Sequence, residues 1–244
     1  MSAGTSSFAA TRWTLVQRSR GDGTPAAAAL CDLCAAYYTP VVAFLRREGR
    51  PEDAARDLAH AFFARILAGG AIEGAEAERG RFRNYLLGAL KHFLADQRDQ
   101  AATARRGGGT IAVAWHPADA ETGDASGPGL RIADERAESP AHAFDRQWAL
   151  TVLQRALSAL ETDLTAEGRS LHFAVLKPWL TGDTAAHRQA EAAAALTISV
   201  DAAKTAIHRL RKRFRACVKA EIANTLADPA QVGEEMECLI AALR

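Results

Sequence analysis

From Gly107 to Pro140 the chain loses all sustained hydrophobic periodicity, and that gap constrains what the rest can build. The stretch GGGTIAVAWHPADAETGDASGPGLRIADERAESP is rich in Gly, Asp, Glu, Ser and Pro, a tether's composition rather than that of a packed element. Such a segment spans roughly 115 Å when stretched and about 33 Å as a relaxed coil. The expected organisation is therefore two helical domains, residues 1–106 and 141–244, joined by a flexible linker over 107–140. Ala, Leu and Arg dominate and aromatics make up only 7% of the chain, which favours helix over sheet. The expected fold class is all-α.

No run of eighteen apolar residues interrupts this picture, and MSAGTSSFAATRW lacks the basic and apolar blocks of a signal peptide. The expectation is a cytoplasmic protein without membrane insertion, whose Cys31, Cys34, Cys217 and Cys238 are reduced thiols. CDLC has the spacing of a CxxC pair, but no second close pair follows. Two small apolar helix residues are the simpler reading.

In the first block, Trp13 and Val16 mark a short helix. A second helix runs from about Pro25 to Arg47, with Leu30, Leu33, Tyr37, Val41 and Phe44 at steps of three and four. Pro40 inside it predicts a kink or a break. A third begins near Pro51 and ends before Gly69 and Gly70. Its Ala55, Leu58, Phe62 and Ile66 form the buried stripe, which turns Asp53, Arg56, Asp57 and His60 outward. A fourth has Phe82, Leu86, Leu90 and Phe93 as its apolar face. Around that face Arg79, Arg81, Arg83, Lys91, Arg98, Arg105 and Arg106 supply an excess of positive charge. Tyr85 among those cations is what an unstacked base requires.

The second block carries the densest cationic run, IHRLRKRFRA from Ile207 to Ala216, in a chain whose formal net charge is only +1. Upstream, an Ala-rich helix of about Ala185–Ala195 leads through LTIS to Ser199, a good N-cap for the next helix. There Ala203, Ile207, Leu210, Phe214 and Cys217 step by four and three and define one buried stripe. The opposite face carries polar residues first and cations later, the requirement for a helix that reads base edges at its N-terminus and meets phosphates farther along. Ser199, Val200, Asp201, Lys204, Thr205 and His208 suit the first task, and Arg209, Arg211, Lys212, Arg213 and Arg215 the second. The expectation is a helix-turn-helix that binds duplex DNA. Acidic residues in the linker and tail offset the basic face, so the positive field is local.

Both helical blocks together resemble a bacterial RNA polymerase sigma factor of the extracytoplasmic-function type. EDAARDLAHAFFARIL (Glu52 to Leu67) is similar to the family's polymerase-docking helix. LKHFLAD (Leu90 to Asp96) occupies the place of its Ala-Arg-Asn triplet followed by Asp. AEAAAALTISVDAAKTAIHRLRKRFR is similar to its last domain. The chain departs from the pattern at His60 and Ala61, where Gln and Glu are frequent, at His92, where the triplet has Asn, and at Thr197, where the turn has Gly.

The resemblance implies that Asp53, Arg56, Asp57 and His60 dock on the clamp helices of the largest subunit of core RNA polymerase. It further implies that Arg79, Arg81, Arg83, Asn84, Tyr85, Lys91, His92 and Arg98 hold the melted promoter-proximal element, and that the C-terminal domain reads the distal element as duplex. The flap of the second subunit and an anti-sigma factor are the further partners it implies.

Two other readings stay open from the residues. One is a helix-turn-helix regulator that binds duplex without core polymerase. The other is an enzyme, for which His92 and Asp96 at i and i+4, or the scattered His172, His187 and His208, are the only material. No HExxH, phosphate loop or nucleophile elbow accompanies them. No catalytic residue, metal or cofactor is expected.

Overall fold

The computed structural model describes residues 24–68, 82–105, 139–180, 182, 188–226 and 228–244. The helix around Trp13 and Val16, the loop from Gly69 to Gly80 and the linker up to Glu138 lie outside the described residues. The fold is all-α: no strand occurs among the described residues. The helices are α1 (Thr24–Arg47), α2 (Glu52–Leu67), α3 (Phe82–Arg105), α4 (Pro140–Ala166), α5 (Ser170–Leu176), α6 (Arg188–Ala195), α7 (Val200–Ala223) and α8 (Val232–Ala242), with a 3₁₀ turn at Lys177–Trp179 and another at Pro229–Gln231. Contacts divide the chain into two compact units, one running to Ala149 and taking in Asn224–Arg244, the other Leu150–Ala223. The boundary falls inside α4, and the C-terminal tail belongs to the first unit.

In the first unit α1 runs unbroken through Pro40. The predicted spacing holds for Leu33, Tyr37, Val41 and Phe44, all buried, while Leu30 is half-buried. By length and composition alone Ala28–Arg47 is apolar enough to cross a membrane, although Asp32 and Thr39 interrupt its apolar run. Its apolarity has a use inside the unit, where it forms core with α2 and α3. Pro51 serves as the N-cap of α2, one residue earlier than expected. Its carbonyl accepts the Ala55 N–H at 2.9 Å, and Glu52 and Asp53 occupy the first turn, where acids favour the helix dipole. Ala55, Phe62 and Ile66 are buried as predicted and Leu58 is half-buried. Phe62 meets Phe93 of α3 with ring centroids 5.6 Å apart.

The tail closes this unit. The Thr225 carbonyl accepts the Phe82 N–H, giving one of the orphan donors at the start of α3 a partner. Glu235, Leu239 and Ala242 of α8 are buried along one stripe.

In the second unit Leu160 and Leu164 of α4, Phe173 and Leu176 of α5, Trp179, Ala192 of α6, Leu196, and Ile207 and Leu210 of α7 form one core. Along α4 the buried positions are Ala143, Phe144, Trp148 and Ala149 in the part that belongs to the first unit, and Val152, Ala156, Leu160 and Leu164 in the part that belongs to the second. From spacing alone Trp148, Leu153, Leu157 and Leu160 are the expected inner stripe of this helix, and Trp148 and Leu160 are buried as expected. Leu153 and Leu157 are only half-buried, because small Ala156 occupies the stripe and apolarity alone does not reveal it.

Three helices end with the same hydrogen-bond pair. After α1, Arg50 N–H reaches the Leu45 carbonyl and Gly49 N–H that of Arg46; after α4, Arg169 reaches Leu164 and Gly168 reaches Thr165. After α6, Ile198 reaches Ala193 and Thr197 reaches Ala194. This motif needs a left-handed residue, normally glycine. Gly49 (φ 88°) and Gly168 (φ 72°) supply it without strain, whereas Thr197 is forced to φ 55°. A β-branched residue is at its worst there. Thr197→Gly is therefore expected to stabilise the protein by about 0.5–1 kcal/mol, the relief of left-handed strain less the extra chain entropy of glycine. A thermal-melting comparison checks it, and a lower melting temperature would contradict the strain.

Candidate nucleic-acid interface

The turn Leu196–Ser199 sets the start of α7. Leu196 is buried and Ile198 packs against the same core, so both ends of the turn are anchored. The Ser199 hydroxyl oxygen then accepts the Ala202 N–H at 3.2 Å, capping the helix as its sequence predicts. Beyond the cap, Ala203, Ile207 and Leu210 are buried, Phe214 and Cys217 are half-buried, and Val218 and Ile222 continue the inner face.

The outer face carries the residues read as duplex-binding. Ser199, Val200, Asp201, Lys204, Thr205, His208, Arg209, Arg211, Lys212 and Arg215 are exposed, and Arg213 is half-buried. Asp201, Thr205, His208, Lys212, Arg215 and Lys219 step by four and three, so they share one solvent-facing stripe.

Several of these groups have partners. Lys204 Nζ lies 3.1 Å from Asp201, and the Thr205 hydroxyl donates to the Asp201 carbonyl at 3.0 Å. Arg211 Nε donates to the Trp179 carbonyl at 3.2 Å, which ties it to the scaffold. Arg213 donates twice to Glu167, at 2.9 and 2.7 Å. Those hydrogen bonds hold the Glu167 carboxyl below its ordinary range and raise the Arg213 guanidinium. Arg209, Lys212 and Arg215 have no ion pair among the described residues.

The set read as holding a melted strand is divided. Arg79 and Arg81 lie outside the described residues. Asn84, Lys91 and Arg98 are exposed and share one line of α3 at seven-residue intervals; Tyr85 and His92 form a half-buried line beside it. Arg98 lies 3.1 Å from Glu48. Burial raises the Tyr85 phenol well above its ordinary range.

Arg83 does not belong with them. It is 8% exposed. Its Nε donates to Glu235 Oε1 at 3.0 Å and its Nη1 to Asp145, and its Cζ lies 4.8 Å from the Trp148 ring centroid. Burial disfavours the charged form, but the two carboxylates more than offset it and raise the guanidinium's affinity for its proton. Its donors are spent on two carboxylates and it is almost wholly enclosed, so it is poorly placed to meet a phosphate. The reason is positional: Arg83 precedes Leu86 by three residues and Leu90 by seven, so it lies on the edge of the buried stripe.

No family model, curated protein or solved structure matches this chain.

The residues read as a polymerase-docking face, Asp53, Arg56, Asp57 and His60, are all exposed on α2. Arg56 pairs with Glu52 at 2.7 Å. His60 Nε2 lies 2.9 Å from the Tyr38 hydroxyl, with the two rings stacked at a centroid distance of 5.2 Å. Tyr38 thus orients His60, a contact between helices that helical spacing does not reveal. Of the CDLC pair, Cys31 is exposed and Cys34 buried. Burial pushes the Cys34 thiol up to about 12, which keeps it in the protonated form that neither attacks nor ligates well.

Proposed function

We propose that this chain is a sigma factor of the extracytoplasmic-function type, which binds core RNA polymerase and directs promoter recognition and transcription initiation. The observation that carries the reading is the outer face of α7: a capped helix start with small and polar side chains, then cations, behind a four-residue turn. Such a face supports reading α6 and α7 as a helix-turn-helix with α7 as the recognition helix. The solvent-facing line of Asn84, Lys91 and Arg98 on α3 supports a role for the first unit with a single strand, and the polar face of α2 supports a docking role in which charge complementarity sets register and on-rate. Such a protein acts in the cytoplasm.

A regulator that binds duplex without polymerase is the second reading. The burial of Arg83 favours it, because the α3 set loses a cation.

Reconstitution with core polymerase and transcription from a genomic fragment library test the proposal. The sigma reading expects co-elution with core enzyme and discrete start sites; tight duplex binding with no association to core enzyme would leave the regulator. Lys212→Glu combined with Arg215→Glu is the sharper probe, since neither side chain has an ion pair among the described residues. Losing two phosphate contacts should weaken promoter binding by the holoenzyme roughly 50-fold at 0.1 M salt. Polymerase association and helix content should stay unchanged. Unaltered promoter affinity would remove α7 from the DNA.

A further inference from the structure

A cleft of about 310 Å³ opens in the second unit beside the outer face of α7. Leu176, Ala202 and Ala206 supply apolar wall, while Arg169, His172 and Arg209 stand among its lining residues, and no carboxylate does. Arg213 also lines it, with its charge already met by Glu167. Arg169 remains exposed, with Glu167 no nearer than 3.8 Å. Its position is set by left-handed Gly168, which ends α4 and turns the chain back so that the Arg169 N–H reaches the Leu164 carbonyl at 2.7 Å.

We infer that this cleft is a binding site for the sugar–phosphate backbone of duplex DNA, with Arg169, His172 and Arg209 as its phosphate ligands; the inference rests on the duplex-binding reading of α7. Three observations favour a nucleic-acid backbone. The lining combines apolar wall with cations, as a strand combines deoxyribose with phosphate, and protein contacts to DNA go largely to that repeating unit. Ala202, Thr205 and Arg209 line the cleft and also belong to the exposed surface of α7, so a duplex seated on that helix passes the cleft without a break. The Thr205 hydroxyl proton is committed to the Asp201 carbonyl, which leaves the donors to Arg169, His172 and Arg209. Arg169 and His172 lie outside the cationic run of α7, and only the fold brings them to it. An acidic peptide is the rival occupant, and it would have no reason to share α7's outer face.

The test uses the full chain and two short duplexes of unrelated sequence. Binding is followed by fluorescence anisotropy across a salt series beginning at low ionic strength. Arg169→Gln is expected to reduce the log–log salt slope by about 0.9 on both duplexes equally, as one lost phosphate contact does. In the unaltered chain, the His172 ring resonances should shift on adding either duplex, a readout that does not depend on how the variant folds. If Lys212→Glu/Arg215→Glu lowers the slope while Arg169→Gln leaves it unchanged and the His172 resonances stay still, the cleft is not a backbone site and the reading of α7 survives. If none of these responds, both fall together.

Discussion

Glu235→Ala is expected to lower the unfolding free energy by about 3–5 kcal/mol, the usual consequence of removing one partner from a buried ion pair. Glu235 is 1% exposed and Arg83 8%. The carboxylate receives Arg83 Nε at 3.0 Å and stands opposite Nη2 at 3.4 Å. Without it, the guanidinium stays enclosed beside Trp148 with Asp145 alone as counter-charge, and its desolvation is no longer offset. Urea denaturation of the full chain, read alongside hydrogen exchange of the α3 amides, measures the loss. The pair itself need not be net stabilising, since apolar replacements of similar size often match a buried ion pair. Arg83→Met combined with Glu235→Leu should therefore recover most of the stability that either single change loses. An unfolding midpoint unmoved by Glu235→Ala would mean that water reaches the pair.

That pair also marks where the sequence was legible and where it was not. The all-helical fold, the inner faces of α1, α2 and α3, the Ser199 cap and the unusual residue at the α6–α7 turn follow from spacing and local propensity, which are short-range properties. Thr197 was visible as a non-glycine where glycine is expected, and the positive φ is its physical consequence. Arg83 and Glu235 were read by charge: one counted with the cations of a nucleic-acid face, the other with acids that balance them. Helical spacing contained the correction. Arg83 keeps register with Leu86 and Leu90, and Glu235 keeps register with Leu239 and Ala242, so each charge sits on an apolar stripe. A charge on such a stripe requires a buried partner. Which partner it finds is a contact 152 residues apart in sequence, and no local pattern encodes that. The same limit hid Arg169 and His172 beside α7, Tyr38 against His60, and the division of α4 between two units.

Leu210→Ala is expected to cost about 2–5 kcal/mol by removing a buried side chain whose surroundings cannot close the space. Leu210 is 5% exposed and lies in the core formed with Leu164, Leu176 and Ile207. It sits between the exposed Arg209 and Arg211 in sequence while pointing the opposite way. Its loss would loosen the platform that fixes the outer face of α7. DNA affinity should fall with it, although Leu210 offers no donor to a phosphate and contributes only apolar floor to the proposed cleft. What separates this indirect loss from a direct one is the companion measurement. Leu210→Ala should lower the melting temperature and duplex affinity together, and Leu210→Met, which nearly conserves volume, should restore both to within about 1.5 kcal/mol. Lys212→Glu/Arg215→Glu should lower affinity alone. If Leu210→Ala weakened duplex binding while leaving thermal stability untouched, Leu210 would lie at the interface. The inner and outer faces of α7 would then have to be exchanged.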